Sequence, residues 1–579
     1  MKPNTVPELL RNAAMQFGEK LALRQPEGGS VHLWNWNQYL QIAEEIAAGL
    51  RALGVGRGDH VAICSETRAE FYLADQGIMM NGSVSAALYP SYPAVELINT
   101  IGMSDAKVLF VEDPHMFGIL KAAPVEHIIL LTGESEGAMS LARLRQHGRY
   151  AEPVTEEENA ILYLTSGATG DPKMVMVTHG ALLQNVHMGP YVLPMTTEDI
   201  TIAFLPSAHI AQRVVLELLP ILSGTPVSFA ESLMKLAGEI KLVRPTVFLA
   251  PPRMWERVYT SIRTEVQKRP PLAQKIFAAA LGLGLGAAKY KNQGKPVPFY
   301  IRIPLQIAGK VVFAKIRERF GGRLRIALSG AAPLGADLAD FYDAVGMPLN
   351  EGYGLTEGGV LALNPIDKHR AGSIGKPLPG VKFRVAEEDG ELLIQSPSLS
   401  SGYYKDPAAT AELFKGGWLH TGDVGTIDAD GYIFITGRKK ELIVASNGKK
   451  IFPSRVEALF KFHPLISQMV LAGDNLPHLV ALFTVNPQVA AAIEGVSGTD
   501  NPAASPEVQK EVQKIVNRVN KQLAPFEQVK KFKVLHRDFL IEDGELTATM
   551  KVRRKRVMEN FSAELQELYK SSAAGRAAE

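Results

Sequence analysis

YLTSGATGDPKMVMVTH, residues 163–179, crowds hydroxyl and glycine residues together and then sets a proline and a lysine ahead of an apolar strand. Such a loop suits the holding of nucleotide phosphates. Glycines let backbone N–H groups turn toward an anion at little steric cost. Thr165, Ser166 and Thr169 add hydroxyl donors, Gly167 and Gly170 add freedom, and Lys173 adds a cation. The loop is not a Walker A motif, which needs a Lys-Ser or Lys-Thr pair opening a helix. Here Lys173 is followed by Met174 and Val175.

Working outward, short apolar β-branched runs alternate with helical stretches over the first 350 residues. HVAIC, KVLFVE, HIILLTG, AILYLT, MVMVT, PTVFLA and LRIALSG read as strands buried on both faces. Helix-period segments such as Trp36–Leu53 and Ala69–Met80 lie between them. The alternation predicts βαβ units and a largely parallel sheet. Near Ile374 the pattern shifts to short strands broken by Gly and Pro, including VKFRV and ELLIQ, which predicts a small antiparallel or barrel-like unit. A second shift comes at Gly437, and beyond it strands and helices form a small α+β unit. The expected fold class is therefore α/β. A large N-terminal domain of stacked αβ subdomains spans residues 1–436, with a β-rich, barrel-like part at about 370–436, and a small mobile α+β domain spans 437–579.

The bulk numbers narrow the function classes. A chain of 579 residues exceeds a single core. Its 46% apolar and 21% charged residues are ordinary for a globular protein in water. With 62 basic and 60 acidic residues it lacks the basic excess of a nucleic-acid binder. One cysteine, Cys64, permits no internal disulfide and fits a reducing, cytoplasmic compartment. The longest apolar run, Phe277–Ala288, is shorter than the roughly 20 residues needed to span a bilayer. The segment Val311–Phe320 pairs an apolar face with basic residues, so peripheral membrane contact stays open, as does a homodimer.

Three more stretches carry chemistry. NEGYGLTEG (350–358) holds Tyr353 between glycines, where it can present a flat face to a base. In the same stretch Thr356 can donate to a phosphate and Glu357 can hold Mg²⁺. HTGDVGTIDADGYIFITGR (420–438) places Asp423 on a Gly-bounded loop, suited to ribose hydroxyls. Lys551 is a single lysine in a Thr-rich segment, ELTATMK, ahead of a basic run. Taken alone, that run reads as a solvated face. No HExxH, paired CxxC or GxSxG is present to support a zinc or serine hydrolase.

Together these stretches resemble the adenylate-forming superfamily, which includes acyl-CoA synthetases, luciferases and adenylation domains. The phosphate loop, GYGLTE, the TGD aspartate, GRKKELI and a near-C-terminal lysine stand in that superfamily's order, from about residue 7 to residue 560. APPRMWERVY (250–259), a helical insertion from about 260 to 321 ahead of SGAAPL, and ELTATMKVRR look most like the long-chain fatty acyl-CoA synthetase branch. The resemblance implies ATP, Mg²⁺ and coenzyme A, with a fatty acid as the group transferred. It implies that Thr165–Lys173 hold the β- and γ-phosphates, and that Gly330, Ala331 and Ala332 line the adenine and acyl pockets. Tyr353 would stack on adenine, Thr356 touch the α-phosphate and Glu357 bind Mg²⁺. Asp423 and Arg438 would hold the ribose, Lys440 act as hinge, Lys551 meet the α-phosphate and His209 border the acyl pocket.

The chain departs from that pattern at three positions. Ala168 stands where Ser or Thr is usual, Met174 where Gly is usual, and Ala445 where some relatives carry a lysine. A lost hydrogen bond to a charged group is worth about 1.5–3 kcal/mol, so weaker ATP handling is expected. Two alternatives stay open at this stage: loading of a carrier-protein thiol, and an inactive acyl- or nucleotide-binding scaffold.

Overall fold

The structure is a computed structural model that describes residues 2–165, 173–446, 448–476, 478–496, 501–547 and 550–576. Ser166, Gly167, Ala168, Thr169 and Gly170 of the phosphate loop lie outside the described residues.

The expected parallel sheet is two sheets. The first has eight strands, in the order Gly402–Tyr403, Lys173–Thr178, Asn159–Thr165, Val84–Leu88, His60–Cys64, Ala106–Val111, His127–Leu130, Met139–Ser140. From Asn159–Thr165 onward its pairs are parallel. Lys173–Thr178 differs from expectation, because it runs antiparallel to Asn159–Thr165, with Thr165 opposite Lys173. Only seven residues join these two strands, and a parallel return needs a crossover of a dozen or more. The strands on either side of residues 166–172 are thus antiparallel neighbours. Met174 pairs with Leu164 and is buried in the core, so the residue that replaces the usual glycine belongs to the strand.

The second sheet has nine strands. Six inner ones, from Leu349–Leu355 through Ile326–Ser329, Val247–Ala250, Thr201–Ala203 and Val227–Phe229 to Leu21–Glu27, are parallel. Antiparallel strands close both edges.

Helix Ala69–Met80 ties the two sheets together. Every residue except Glu70 is buried, as expected of a helix apolar on all sides. Tyr72 packs edge-on against Phe229 of the second sheet at 4.8 Å, while Asp75 accepts a hydrogen bond from Ser85 of the first. A π-helical segment, Gln212–Leu218, lies alongside, and Arg213 meets Asp75 with neither side chain exposed. Local signals fix other boundaries. Asn35 and Gln38 form a reciprocal capping box at the start of helix Trp36–Ala52.

A third sheet, of strands Lys382–Val385, Glu391–Gln395, Phe414–Lys415, Trp418–Ile427 and Ile433–Arg438, is antiparallel. Beyond it a separate C-terminal domain builds its own core. Strands Ile466–Ala472, Leu479–Val485 and Val529–Val534 pack with helices Pro453–Lys461 and Pro506–Asn520. This domain touches the N-terminal part at several points. Arg253 donates to the carbonyl of Ser467, Tyr259 stacks on Phe462 at 5.1 Å, and the Arg553 guanidinium lies 5.6 Å from the Tyr92 ring. Trp255, of the same APPRMWERVY segment, is fully buried and donates to the carbonyls of Ala250 and Leu328.

The apolar run Phe277–Ala288 sits within a longer helix than its composition suggested. Pro271–Asn292 has 22 residues and meets the length and hydropathy of a membrane-crossing helix.

Candidate active site

The site gathers where strands of the second and third sheets end and the C-terminal domain reaches over. Ile326–Ser329 and Leu349–Leu355 run parallel, with Ser329 opposite Glu351. Gly330, Ala331 and Ala332 follow the first strand at its C-terminal end, the usual ligand crevice of a parallel sheet. Ala331 takes a φ of +70°, a left-handed turn uncommon outside glycine. The Glu351 carboxylate accepts from the Leu334 N–H at 2.9 Å and so ties this loop to the strand that carries Tyr353. Burial pushes the Glu351 carboxyl up to about 8, although the Leu334 N–H opposes that shift.

Tyr353, Asp423 and Arg438 come together directly. Asp423 and Arg438 are register partners on neighbouring strands. Arg438 donates from Nε to Asp423 Oδ1 at 2.9 Å, and the Tyr353 hydroxyl donates to Oδ2 at 2.6 Å. Thr421 completes the cradle by accepting from the Asp423 N–H at 3.0 Å. Burial and the Asp423 charge hold the Tyr353 hydroxyl well above its ordinary pKa, so it stays a donor.

Lys551 enters from the C-terminal domain. It lies at the end of a tight loop whose flanks Leu546 and Val552 form a β-bridge, and Thr547 Oγ1 accepts its N–H at 3.1 Å. Lys551 is exposed to solvent. Nearby protein disfavours the ammonium form and Arg438 repels it, with Asp423 and Glu441 opposing, so its pKa falls to about 8. His209 feels the same charge: burial, then Lys551, push its imidazole down to about 3. Its Nδ1 accepts from the Ala211 N–H at 3.2 Å, which leaves the neutral ring's proton on Nε2.

Glu357 and Lys173 belong to a second group, joined by a residue that sequence reasoning missed. The Tyr403 hydroxyl donates to Glu357 Oε1 at 2.8 Å. The Lys173 ammonium lies 4.8 Å from the Tyr403 ring centre and 3.3 Å from Asp406 Oδ2. Tyr403 can make this bridge because its short strand pairs with the strand that Lys173 opens. The one available signal was Gly402 beside two tyrosines, the same glycine–tyrosine pattern that singled out Tyr353. Thr165 ends its strand and donates to the Lys173 carbonyl at 3.2 Å. Thr356 lies in the turn before Gly359–Leu363.

Lys440 sits in a short 3₁₀ turn, Lys439–Glu441, exposed at the edge of the third sheet. Its neighbour Lys439 clamps that turn to Asp389 at 2.6 Å and Glu391 at 2.9 Å.

The donor set fits Mg²⁺. Tyr403 occupies one oxygen of Glu357, and the other has no partner among the described residues. Among the described residues no cluster of three or more His, Cys, Asp or Glu is placed to hold a metal by itself. A single hard carboxylate suits an ion that keeps its waters and takes its remaining ligands from phosphate.

The chain belongs to the AMP-binding enzyme family. Residues 10–404 match the AMP-binding enzyme domain and residues 440–573 its C-terminal domain. The chain is 34% identical over 550 residues to the long-chain-fatty-acid–CoA ligase FadD15 of Mycobacterium tuberculosis, covering 90% of each. It is 28% identical to the human long-chain-fatty-acid–CoA ligase ACSBG2, covering 98% of this chain and 92% of that one. Among solved structures, the adenylation domain of a carboxylate reductase from Mycobacterium chelonae shares the fold. Its TM-score is 0.80 at 24% identity, covering 98% of this chain and 91% of that one.

Proposed function

We propose that the protein joins a long-chain fatty acid to coenzyme A in two steps. In the first, a carboxylate oxygen of the acid attacks the α-phosphorus of ATP, and the bond to pyrophosphate breaks. In the second, the thiol of coenzyme A attacks the acyl carbon of the acyl-adenylate, loses its proton and releases AMP. The observation that carries the reading is Lys551 of the C-terminal domain, held within electrostatic reach of Arg438, Asp423 and His209.

Each residue has a task in this scheme. Tyr353 gives adenine a flat face, and Asp423 with Arg438 takes the ribose hydroxyls. Thr165 and Lys173, with the loop between them, hold the β- and γ-phosphates. Thr356 and Lys551 meet the α-phosphate, where negative charge builds in the transition state. Neutral His209 borders the acyl pocket without adding a competing cation. Glu357, oriented by Tyr403, would hold Mg²⁺, whose charge offsets that of the departing pyrophosphate. Lys551 serves the first step and must leave room for the thiol in the second, so the C-terminal domain turns near Lys440, with a domain boundary at 436/437. The cytoplasm is the proposed setting, and it suits the buried free thiol of Cys64.

Pyrophosphate release against carboxylic acids from acetate to very long chains tests the reading. Release that rises with chain length, followed by coenzyme A-dependent AMP release, is the expected result. Equal release with all acids, or none with any, would contradict it.

A further inference from the structure

The helical insertion carries an asymmetry that catalysis does not use. Between Glu265 and Glu318 the chain has ten Lys and Arg residues and no Asp or Glu, although the whole protein is nearly balanced at 62 to 60. The same segment holds seven of the 21 exposed large apolar side chains among the described residues. Charge and apolar exposure thus concentrate in one place.

The packing explains why that face is bare. Helix Pro271–Asn292 buries Phe277, Ala280, Gly284, Ala287 and Ala288, a stripe at helical spacing. It lies so close to helix Ala336–Ala344 that a Cβ on Gly284 would fall 2.3 Å from the Ala344 carbonyl oxygen. This small-residue face is committed to the protein, so the helix lies along the surface despite its length. Helix Phe299–Val311 buries only Ala308. Its Phe299, Ile303, Ile307 and Val311 repeat every fourth residue along one side, each at least 53% exposed. Lys275, Lys295, Arg302, Lys310 and Lys315 are exposed and have no ion-pair partner among the described residues.

We propose that helices Pro271–Asn292 and Phe299–Val311 form a docking face for an anionic lipid bilayer surface. An apolar stripe flanked by Lys and Arg is the pattern of a helix lying in the membrane interface. Uncompensated cations next to that stripe are attracted to acidic headgroups. A second copy of the chain is the poorer occupant, since a symmetric contact would bring two sets of unpaired like charges together. The proposal needs no turnover, so it stands or falls separately from the ligase reading.

Flotation of the full chain with vesicles tests it, using phosphatidylcholine alone and phosphatidylcholine mixed with phosphatidylglycerol. The intact protein should float with the anionic vesicles and remain behind with the neutral ones. The double substitution Ile303→Glu with Ile307→Glu should lower the bound fraction about tenfold, as should Arg302→Glu with Lys310→Glu or high salt. All four positions are exposed, so unchanged thermal unfolding of each variant separates lost docking from lost fold. Failure to float with anionic vesicles, equal binding to neutral ones, or variants that float like the parent would each overturn the proposal. So would a dimer in sedimentation that Ile303→Glu with Ile307→Glu dissolves, or salt-sensitive binding to polyglutamate without binding to vesicles.

Discussion

Arg213 and Arg438 each face an aspartate, Asp75 and Asp423, but the two pairs live in different surroundings. Arg213 and Asp75 lie between the two large sheets with no exposure, and Glu217 joins them 3.8 Å from Arg213. Burial raises both carboxyls there, Glu217 most, and Gln76 donates to Glu217 at 3.0 Å. Arg438 is half-exposed, its aspartate accepts from a tyrosine hydroxyl, and Lys551 feels the charges of both Arg438 and Asp423. The first group is closed to any ligand and fixes the joint between sheets. In the second Asp423 is buried as well, but the Arg438 side chain is half-exposed and can exchange water for a ligand. Residue type alone does not separate structural charge from chemical charge; access does.

Breaking the closed group should have the largest effect on stability. Arg213→Ala leaves two buried carboxyls without their cation and should cost about 3–5 kcal/mol at neutral pH. Denaturant unfolding would show it, with both half-reactions falling together. Loss of adenylation at unchanged stability would show that Arg213 belongs with the chemistry. In the open region, Tyr403→Phe removes a hydrogen bond to a carboxylate, worth about 1.5–3 kcal/mol. It should raise the Mg²⁺ concentration needed for adenylation by roughly ten- to a hundredfold, since that bond orients Glu357. An unchanged Mg²⁺ titration would remove Tyr403 from the account.

A smaller effect should appear with pH. Folding and the neighbouring Arg438 lower the Lys551 pKa to about 8, so the ammonium is present below that value and lost above it. Adenylation kcat/KM, which reports the free enzyme, should therefore fall about tenfold per unit above pH 8. Bound ATP restores the charge, so the fall in kcat should begin at higher pH. Thioester formation from supplied acyl-adenylate should not follow the kcat/KM limb.

The fold class was legible because β-branched runs and helical periods are local properties. HVAIC and Ala69–Met80 form a strand and a helix at the expected positions. The division into two sheets was not legible, since pairing joins strands far apart, as when Leu23 meets Val227. The antiparallel return at Lys173 could have been read from the length of its loop. In the site, Tyr353 and Asp423 stood out through their glycine neighbours, Arg438 entered only through the family resemblance, and the three meet in space. Tyr403 was hidden because its role depends on a strand pairing more than 200 residues apart in sequence. The Arg213 group was hidden because charged residues in a sequence read as surface, and only the packed sheets show them enclosed.

In the proposed mechanism Lys551 serves adenylation and is not part of the fold's support. Lys551→Ala, assayed separately for fatty-acid-dependent ATP–pyrophosphate exchange and for thioester formation from supplied acyl-adenylate, tests it most directly. The account predicts a loss of about 10²–10³ in the exchange reaction, with thioester formation and thermal unfolding close to the parent. Equal loss in both half-reactions would contradict it.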